Sequence, residues 1–315
     1  MKSKNIILSL IFLFISGSAI ISQTLSEQIK LTVEIVRKNN QYVDLKKFNK
    51  IIQNDTSASD LLIATMPYLS DSDARVKNFA LNLVNYTGRE SKSLIIKQAV
   101  VQILVNDYKG TEKRDAGNAG SYLKNYSKED FNITARDSLS VKIKRGVNNM
   151  YDIFMLAGYI KLTNAIPDIK VSISNPKLND KTIWGAHLAL SRMGDKAETD
   201  YCINIVKSKN MCNAVVYNML PSLVYTRQKA AFDYMVTILN SDEKNCMSSN
   251  PDNSAEIVCG YRVMEFLAPV IKNFPLQTYK GINQIKTKDY KAALETARNW
   301  FKEHKDSYQI IDDTF

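Results

Sequence analysis

Two histidines, four cysteines and no serine in a G-x-S-x-G setting make a short inventory of reactive groups for a chain of 315 residues. Nucleophilic hydrolysis needs a base beside its nucleophile and a pair of donors for the oxyanion. His187 falls in the middle of an apolar helical pattern, the setting of a packing histidine, and His304 lies in the charged run Lys302-Glu303-His304-Lys305. The stretch Gly110-Thr111-Glu112-Lys113-Arg114-Asp115-Ala116-Gly117 departs from the phosphate-cradling pattern G-x-x-x-x-G-K-[ST]. The carboxylate pairs Glu129-Asp130 and Asp312-Asp313 are adjacent in sequence, which on a helix points them apart. With no C-x-x-C and no histidine pair at ligand spacing, zinc has no donor set. The sequence therefore assigns no catalytic, cofactor-binding or metal-ligating residue.

The N-terminus is read as an address. Lys2 and Lys4 precede an almost unbroken apolar run from Ile6 to Ile21 that ends beyond Gly17-Ser18-Ala19. This is the three-part pattern of a secretory signal, too short for the roughly 20 residues of a permanent membrane helix. Cleavage after Ser22 is expected, so that 1–22 is a signal peptide, the exported chain starts at Gln23, and the net charge falls from +10 to +8. No cysteine near the cut would accept a lipid. The expected location is periplasmic or extracellular. Four cysteines follow, Cys202, Cys212, Cys246 and Cys259. An even count in an oxidising compartment reads as disulfides. Of the three pairings, the local one, Cys202–Cys212 with Cys246–Cys259, is preferred because each pair flanks an expected turn between helices. Loops this short would each contribute on the order of 3 kcal/mol.

Hydrophobic residues at 45% and charged residues at 23% are ordinary globular usage, which excludes wholesale disorder and a multi-span membrane protein. Eleven glycines and seven prolines lie well below average shares of about 7% and 5%, against a turn-rich β fold. The spacing agrees. Val76, Phe79, Ala80, Leu83 and Val84 form one helical stripe, and Ile183, Ala186, Leu190 and Met193 form another. Further helices are expected near 25–38, 57–69, 91–107, 112–124, 130–145, 149–162, 211–224, 227–240, 256–273 and 289–304. Short polar connections such as Thr87-Gly88-Arg89 and Met193-Gly194-Asp195 would join them.

The helical pattern repeats. The nonapeptide beginning Ala165-Ile166-Pro167-Asp168 aligns with those beginning Ala197-Glu198-Thr199-Asp200 and Ala230-Ala231-Phe232-Asp233, offset by 32 and 33 residues and sharing A-x-x-D-[IY]-x-[VI]-x-I. With Ala189-Leu190-Ser191-Arg192-Met193-Gly194-Asp195 and Ala197 resembling the end of one helix and the start of the next, and Val76-Lys77 with Ala80 resembling an earlier first helix, the chain resembles short HEAT-like repeat proteins. The likeness is clearest over 150–240. Ile183 stands where that family commonly has Arg, and 23–60 and 241–315 match poorly. The resemblance implies an all-α superhelix, a single solenoid over 23–315 in which stacked helix pairs share one core.

It also implies that second helices line the concave side, where Asp168 and Ser172, Asp200 and Asn204, and Asp233 and Thr237 would form a polar ladder, each pair four residues apart on one helix face. Such aspartates are either helix caps or ligand contacts. Tyr201, Tyr225 and Tyr234 are expected to face the core. The expected function is an exported, non-enzymatic scaffold that binds another protein or an extended peptide. Two alternatives are an enzyme or enzyme subunit with its site in 241–315, where a long polar loop could carry function, and a peripheral protein held weakly on an anionic envelope surface by its basic charge. Nucleic acid is not an expected partner of an exported chain. The oligomeric state is not legible.

Overall fold

The computed structural model describes residues 24–38, 43–108, 119–248, 255–279, 282 and 284–315. The expected leader and the glycine-bounded stretch 110–117 lie outside the described residues. The chain is all-α, with helices packed on helices. Among the described residues the only strands are Cys246–Met247 and Glu256–Ile257, an antiparallel pair. Among them, too, no helix is long and apolar enough to cross a membrane. Contacts divide the chain into two compact units, one up to Lys142 and one from Ile143.

The first unit begins with a helix over 24–38 and a short 3-10 turn, Leu45–Phe48, running into Asn49–Ile52. Longer helices follow at Asp55–Thr65, Ala74–Glu90 and Leu94–Asp107. Their starts are set by side-chain caps: Asn54 accepts from the Ser57 amide at 3.0 Å and Asp73 from the Arg75 amide at 2.9 Å. Leu25, Ile29, Val33, Phe48, Ile52, Leu61, Val76, Phe79 and Leu83 form one buried cluster. Thr87-Gly88-Arg89, expected as a connection, lies inside the Ala74–Glu90 helix. Gly88 is there for close approach: a Cβ would stand 2.4 Å from the Tyr126 hydroxyl and 2.8 Å from Val100.

In the second unit three helix hairpins follow one another. They are Met150–Tyr159 with Ile166–Ile173, Asp180–Arg192 with Lys196–Lys207, and the broken helix Asn213–Asn218 and Leu220–Thr226 with Lys229–Leu239. Each hairpin turns on a residue of positive φ, Lys161 (52°), Gly194 (99°) and Arg227 (54°), a constant interval of 33 residues. In the first two turns the carbonyls at the helix end are closed by a Schellman pair. Lys161 N–H donates to Gly158 O and Leu162 N–H to Ala157 O, and Gly194 N–H donates to Ser191 O and Asp195 N–H to Leu190 O. The expected helix 211–224 breaks at Met219 because Pro221 has no N–H to donate and its ring would strike the carbonyl four residues earlier.

After the hairpins come the short strand pair, the helix Gly260–Leu267 and the helix Tyr290–His304. Cys246 and Cys259 are disulfide-bonded as expected, but the bond closes the strand pair rather than a turn between helices, and the expected helix 256–273 starts only at Gly260. The expected Cys202–Cys212 bond is not formed. Cys202 lies in the buried stripe of Lys196–Lys207 with Ile203 and Val206, whereas Cys212 is exposed just before Asn213. Burial pushes the Cys202 thiol up to about 12. A thiol reagent added to the native protein at pH 8 is thus expected to modify one cysteine per chain, Cys212, and to reach Cys202 only in denaturant. Two fast-reacting thiols in the native protein would contradict this packing.

Candidate functional site

The helices Lys196–Lys207 and Lys229–Leu239 each bury one stripe and expose the other. Thr199, Cys202, Ile203 and Val206 face inward on the first, and Ala231, Phe232, Met235, Ile238 and Leu239 on the second. Because the two preceding turns stand 33 residues apart, Asp200 is equivalent to Asp233 and Asn204 to Thr237. The structure brings all four together in one open groove of about 620 Å³, with Lys207 and Tyr234 also on its wall. Asp200 and Asn204 are exposed, and their side chains have no hydrogen-bond partner among the described residues.

Neither aspartate is a cap. Asp195 caps the first helix, accepting from Glu198 N–H at 3.2 Å, and the second starts after Gln228. Asp233 is already engaged. It accepts from Lys229 Nζ at 2.8 and 2.9 Å and from the Tyr308 hydroxyl at 2.7 Å. Burial, then this hydrogen bond to Asp233, push the Tyr308 hydroxyl well above its ordinary range. A second groove, of about 570 Å³, flanks the other side of Lys229–Leu239 between Val236, Asn240, Phe301 and the cations Arg298, Lys302 and Lys305.

The first rung of the expected ladder does not join them. Counted from Lys161, Asp168 stands one residue out of register with Asp200 and Asp233, because the 3-10 turn Thr163–Ala165 intervenes before Ile166–Ile173 begins. Asp168 lies in the first turn of that helix, and Ser172 donates back to the Asp168 carbonyl at 2.9 Å. Tyr225 is buried as expected and Tyr234 half-buried, but Tyr201 is 42% exposed and stacks on His187 at 4.1 Å. His187 is satisfied: its Nδ1 pairs with Glu198 Oε2 at 2.5 Å, while Ser191, one turn on, bonds Thr199 at 2.8 Å. Among the described residues the imidazole is thus offered no nucleophile. Among the described residues no three His, Cys, Asp or Glu side chains gather as a metal site.

A further constellation went unread in the sequence. Tyr159, Arg192 and Tyr225 each stand two residues before the three hairpin turns, and they stack, with the Arg192 guanidinium 5.2 Å from the Tyr159 ring and 4.6 Å from that of Tyr225. Over them lies the segment 309–315. Arg192 donates to Tyr225 O at 2.9 Å, Thr314 O at 2.6 Å and Asp312 O at 3.2 Å. Lys161 pairs with Asp312 at 2.7 Å, and Arg227 donates to Ile311 O and Thr314 Oγ1 at 2.9 Å. Phe315 meets both tyrosine rings edge-on or tilted, at 5.5 and 5.8 Å. Burial, then the like charge of Arg192, pull Arg227 down to about 10. The 33-residue interval was the available signal, since applying it to 159, 192 and 225 finds the ladder. These geometries supply hydrogen bonds, charge and apolar wall for non-covalent binding. No family model and no curated protein sequence matches the chain.

Proposed function

We propose that the chain is an exported α-solenoid of short HEAT-like repeats that holds an extended segment of a partner protein across Lys196–Lys207 and Lys229–Leu239. The observation that carries this reading is the repeat equivalence of Asp200 with Asp233 and of Asn204 with Thr237 on one groove. Repeat proteins use such surfaces because successive units present the same position at regular distances. An extended peptide offers main-chain N–H and C=O groups in alternation. Asn204 can meet both kinds, and Asp200 is free to accept from a main-chain N–H or a cationic side chain. The sequence leader and the disulfide Cys246–Cys259 support assembly in an oxidising compartment.

The test is site-specific photo-crosslinking in the exporting cell. A crosslinker at 204 or 237 is expected to trap the same partner. One at Val171, exposed on Ile166–Ile173 outside this groove, is expected not to. With the crosslinker at 237, Asp200→Asn combined with Asn204→Ala should remove most of the adduct without altering the circular dichroism of the protein. Equal trapping from all three positions, or trapping indifferent to the double substitution, would rule the groove out.

A further inference from the structure

The first unit carries a groove of different chemistry. On the Ala74–Glu90 helix the residues Arg75, Asn78, Asn82, Asn85 and Arg89 follow at steps of three and four, which aligns them on one face over about 21 Å. They line an open cavity of about 590 Å³ whose other wall includes the apolar Val36, Val43 and Leu45, with Phe79 and Tyr86 of the same helix and Tyr122 completing it. Among the described residues no carboxylate lines it.

Two of the amides are held in one orientation. The Tyr122 hydroxyl donates to Asn82 Oδ1, and the Tyr126 hydroxyl donates to Asn85 Oδ1 at 3.3 Å and Asn85 O at 3.1 Å. Each carbonyl oxygen thereby has a donor on one of its two lone pairs, while the N–H groups of each amide remain to be met. Asn85 is only 7% exposed, yet neither its Nδ2 nor that of Asn82 has a partner among the described residues. Asn85 Nδ2 opens onto the groove, where water or a ligand can meet it. At one end Arg75 is neutralised by Asp73, with bonds of 3.0 and 2.7 Å, while at the other Arg89 is exposed and has no ion-pair partner among the described residues.

We propose that this groove binds an acidic oligosaccharide, one whose sugar rings carry carboxylates. A row of donors suits a ligand that faces it with acceptors alone. An extended polypeptide edge suits it less well, because half of its main-chain groups would set N–H against the N–H groups of Asn82, Asn85 and Arg89. Arg89 is placed for a carboxylate, which a guanidinium holds through two parallel hydrogen bonds. The apolar wall and the two tyrosines fit the C–H faces of pyranose rings, which an inorganic polyanion lacks. This site is separate from the groove at Asp200 and Asp233, and the two proposals stand or fall independently.

Isothermal titration calorimetry on the full chain at physiological salt tests it, with a uronic acid hexamer, the neutral hexose hexamer of the same linkage, inorganic polyphosphate and poly-glutamate. The uronate hexamer is expected to bind, with the neutral hexamer, polyphosphate and poly-glutamate each at least tenfold weaker. Asn82→Leu and Arg89→Gln, both at exposed positions, should each weaken uronate binding roughly tenfold, the scale of one charge-assisted or oriented hydrogen bond. Tyr122→Phe leaves the Asn82 amide free to rotate, so it should reduce affinity while the ligand preference stays the same. No heat with the uronate hexamer at millimolar concentration, equal affinity for polyphosphate or poly-glutamate, or binding indifferent to Asn82→Leu and Arg89→Gln would overturn the proposal.

Discussion

Arg192→Met is expected to destabilise the protein by about 2–4 kcal/mol, from a buried carbonyl left without its donor and the loss of a cation held between two tyrosine rings. A buried ion pair can often be replaced by apolar groups at no loss, so the sign here has to be argued. Arg192 is 1% exposed, and three of its partners are main-chain carbonyls, of Tyr225, Asp312 and Thr314. No side-chain substitution removes those carbonyls. Methionine would fill much of the volume between the rings of Tyr159 and Tyr225 but would strand the buried carbonyl of Tyr225, worth about 1–3 kcal/mol without a donor, and would release the more exposed carbonyls of Asp312 and Thr314 to water. Urea unfolding should report the loss as a lower midpoint. Hydrogen exchange should also rise at Ile311, whose N–H donates to Val270 O at 2.8 Å. Arg192→Lys keeps the charge but replaces a planar fork with a single head that cannot reach both Tyr225 O and Thr314 O, so it should recover only part of the stability. A methionine variant within about 1 kcal/mol of the parent would mean that 309–315 is not held through this residue.

Much of this was legible in the sequence, and the misses have physical causes. The 3.6-residue periodicity reports burial on one side of a helix, and it located nearly every long helix because most of these helices pack on one side. The exceptions are places where one residue overrides the pattern. Pro221 splits a continuous apolar run at Met219, and Gly88 reads as a breaker although it is the contact point for Tyr126 and Val100. The repeat was visible as nonapeptides, but sequence alone aligned Asp168 with Asp200. The interval that matters is set by the turns at Lys161, Gly194 and Arg227, and the extra 3-10 turn after Lys161 moves Asp168 out of line. Of the six ladder residues the structure gathers four. It also shows what no local pattern encodes, that Asp233 is bonded to Tyr308, 75 positions away, and that Arg192 reaches Thr314, 122 positions away. Cys202 and Cys212 illustrate the same limit, since closeness in sequence says nothing of which way a side chain faces.

A tight joint between two helices of the second unit gives the other large effect. Helices Met150–Tyr159 and Asp180–Arg192 meet at Gly158 and Ala189, where a Cβ on Gly158 would stand 2.8 Å from Ala189 Cα, 3.1 Å from Ala189 O and 2.4 Å from the Tyr225 hydroxyl. In an exposed helix, Gly→Ala would stabilise by up to about 1 kcal/mol through backbone entropy. Here that gain is opposed by two obstacles of different stiffness. The tyrosine hydroxyl can shift if its hydrogen bond to Met155 O is given up, but the Ala189 backbone moves only if its helix moves. Overpacking of this kind costs about 1–3 kcal/mol, and loss of the tyrosine bond about 1 more. Gly158→Ala is therefore expected to lower stability by about 2–3 kcal/mol, and Gly158→Val by more. A double-mutant cycle with Tyr225→Phe separates the obstacles. With the hydroxyl absent one clash disappears, so the double variant should be less destabilised than the two single losses predict, by on the order of 1 kcal/mol. Full rescue would show that the hydroxyl is the sole obstacle, and no rescue that Ala189 alone sets the spacing. A neutral or stabilising Gly158→Ala would mean that the helices do not meet at this distance, and the register linking Tyr159, Arg192 and Tyr225 would fail with it.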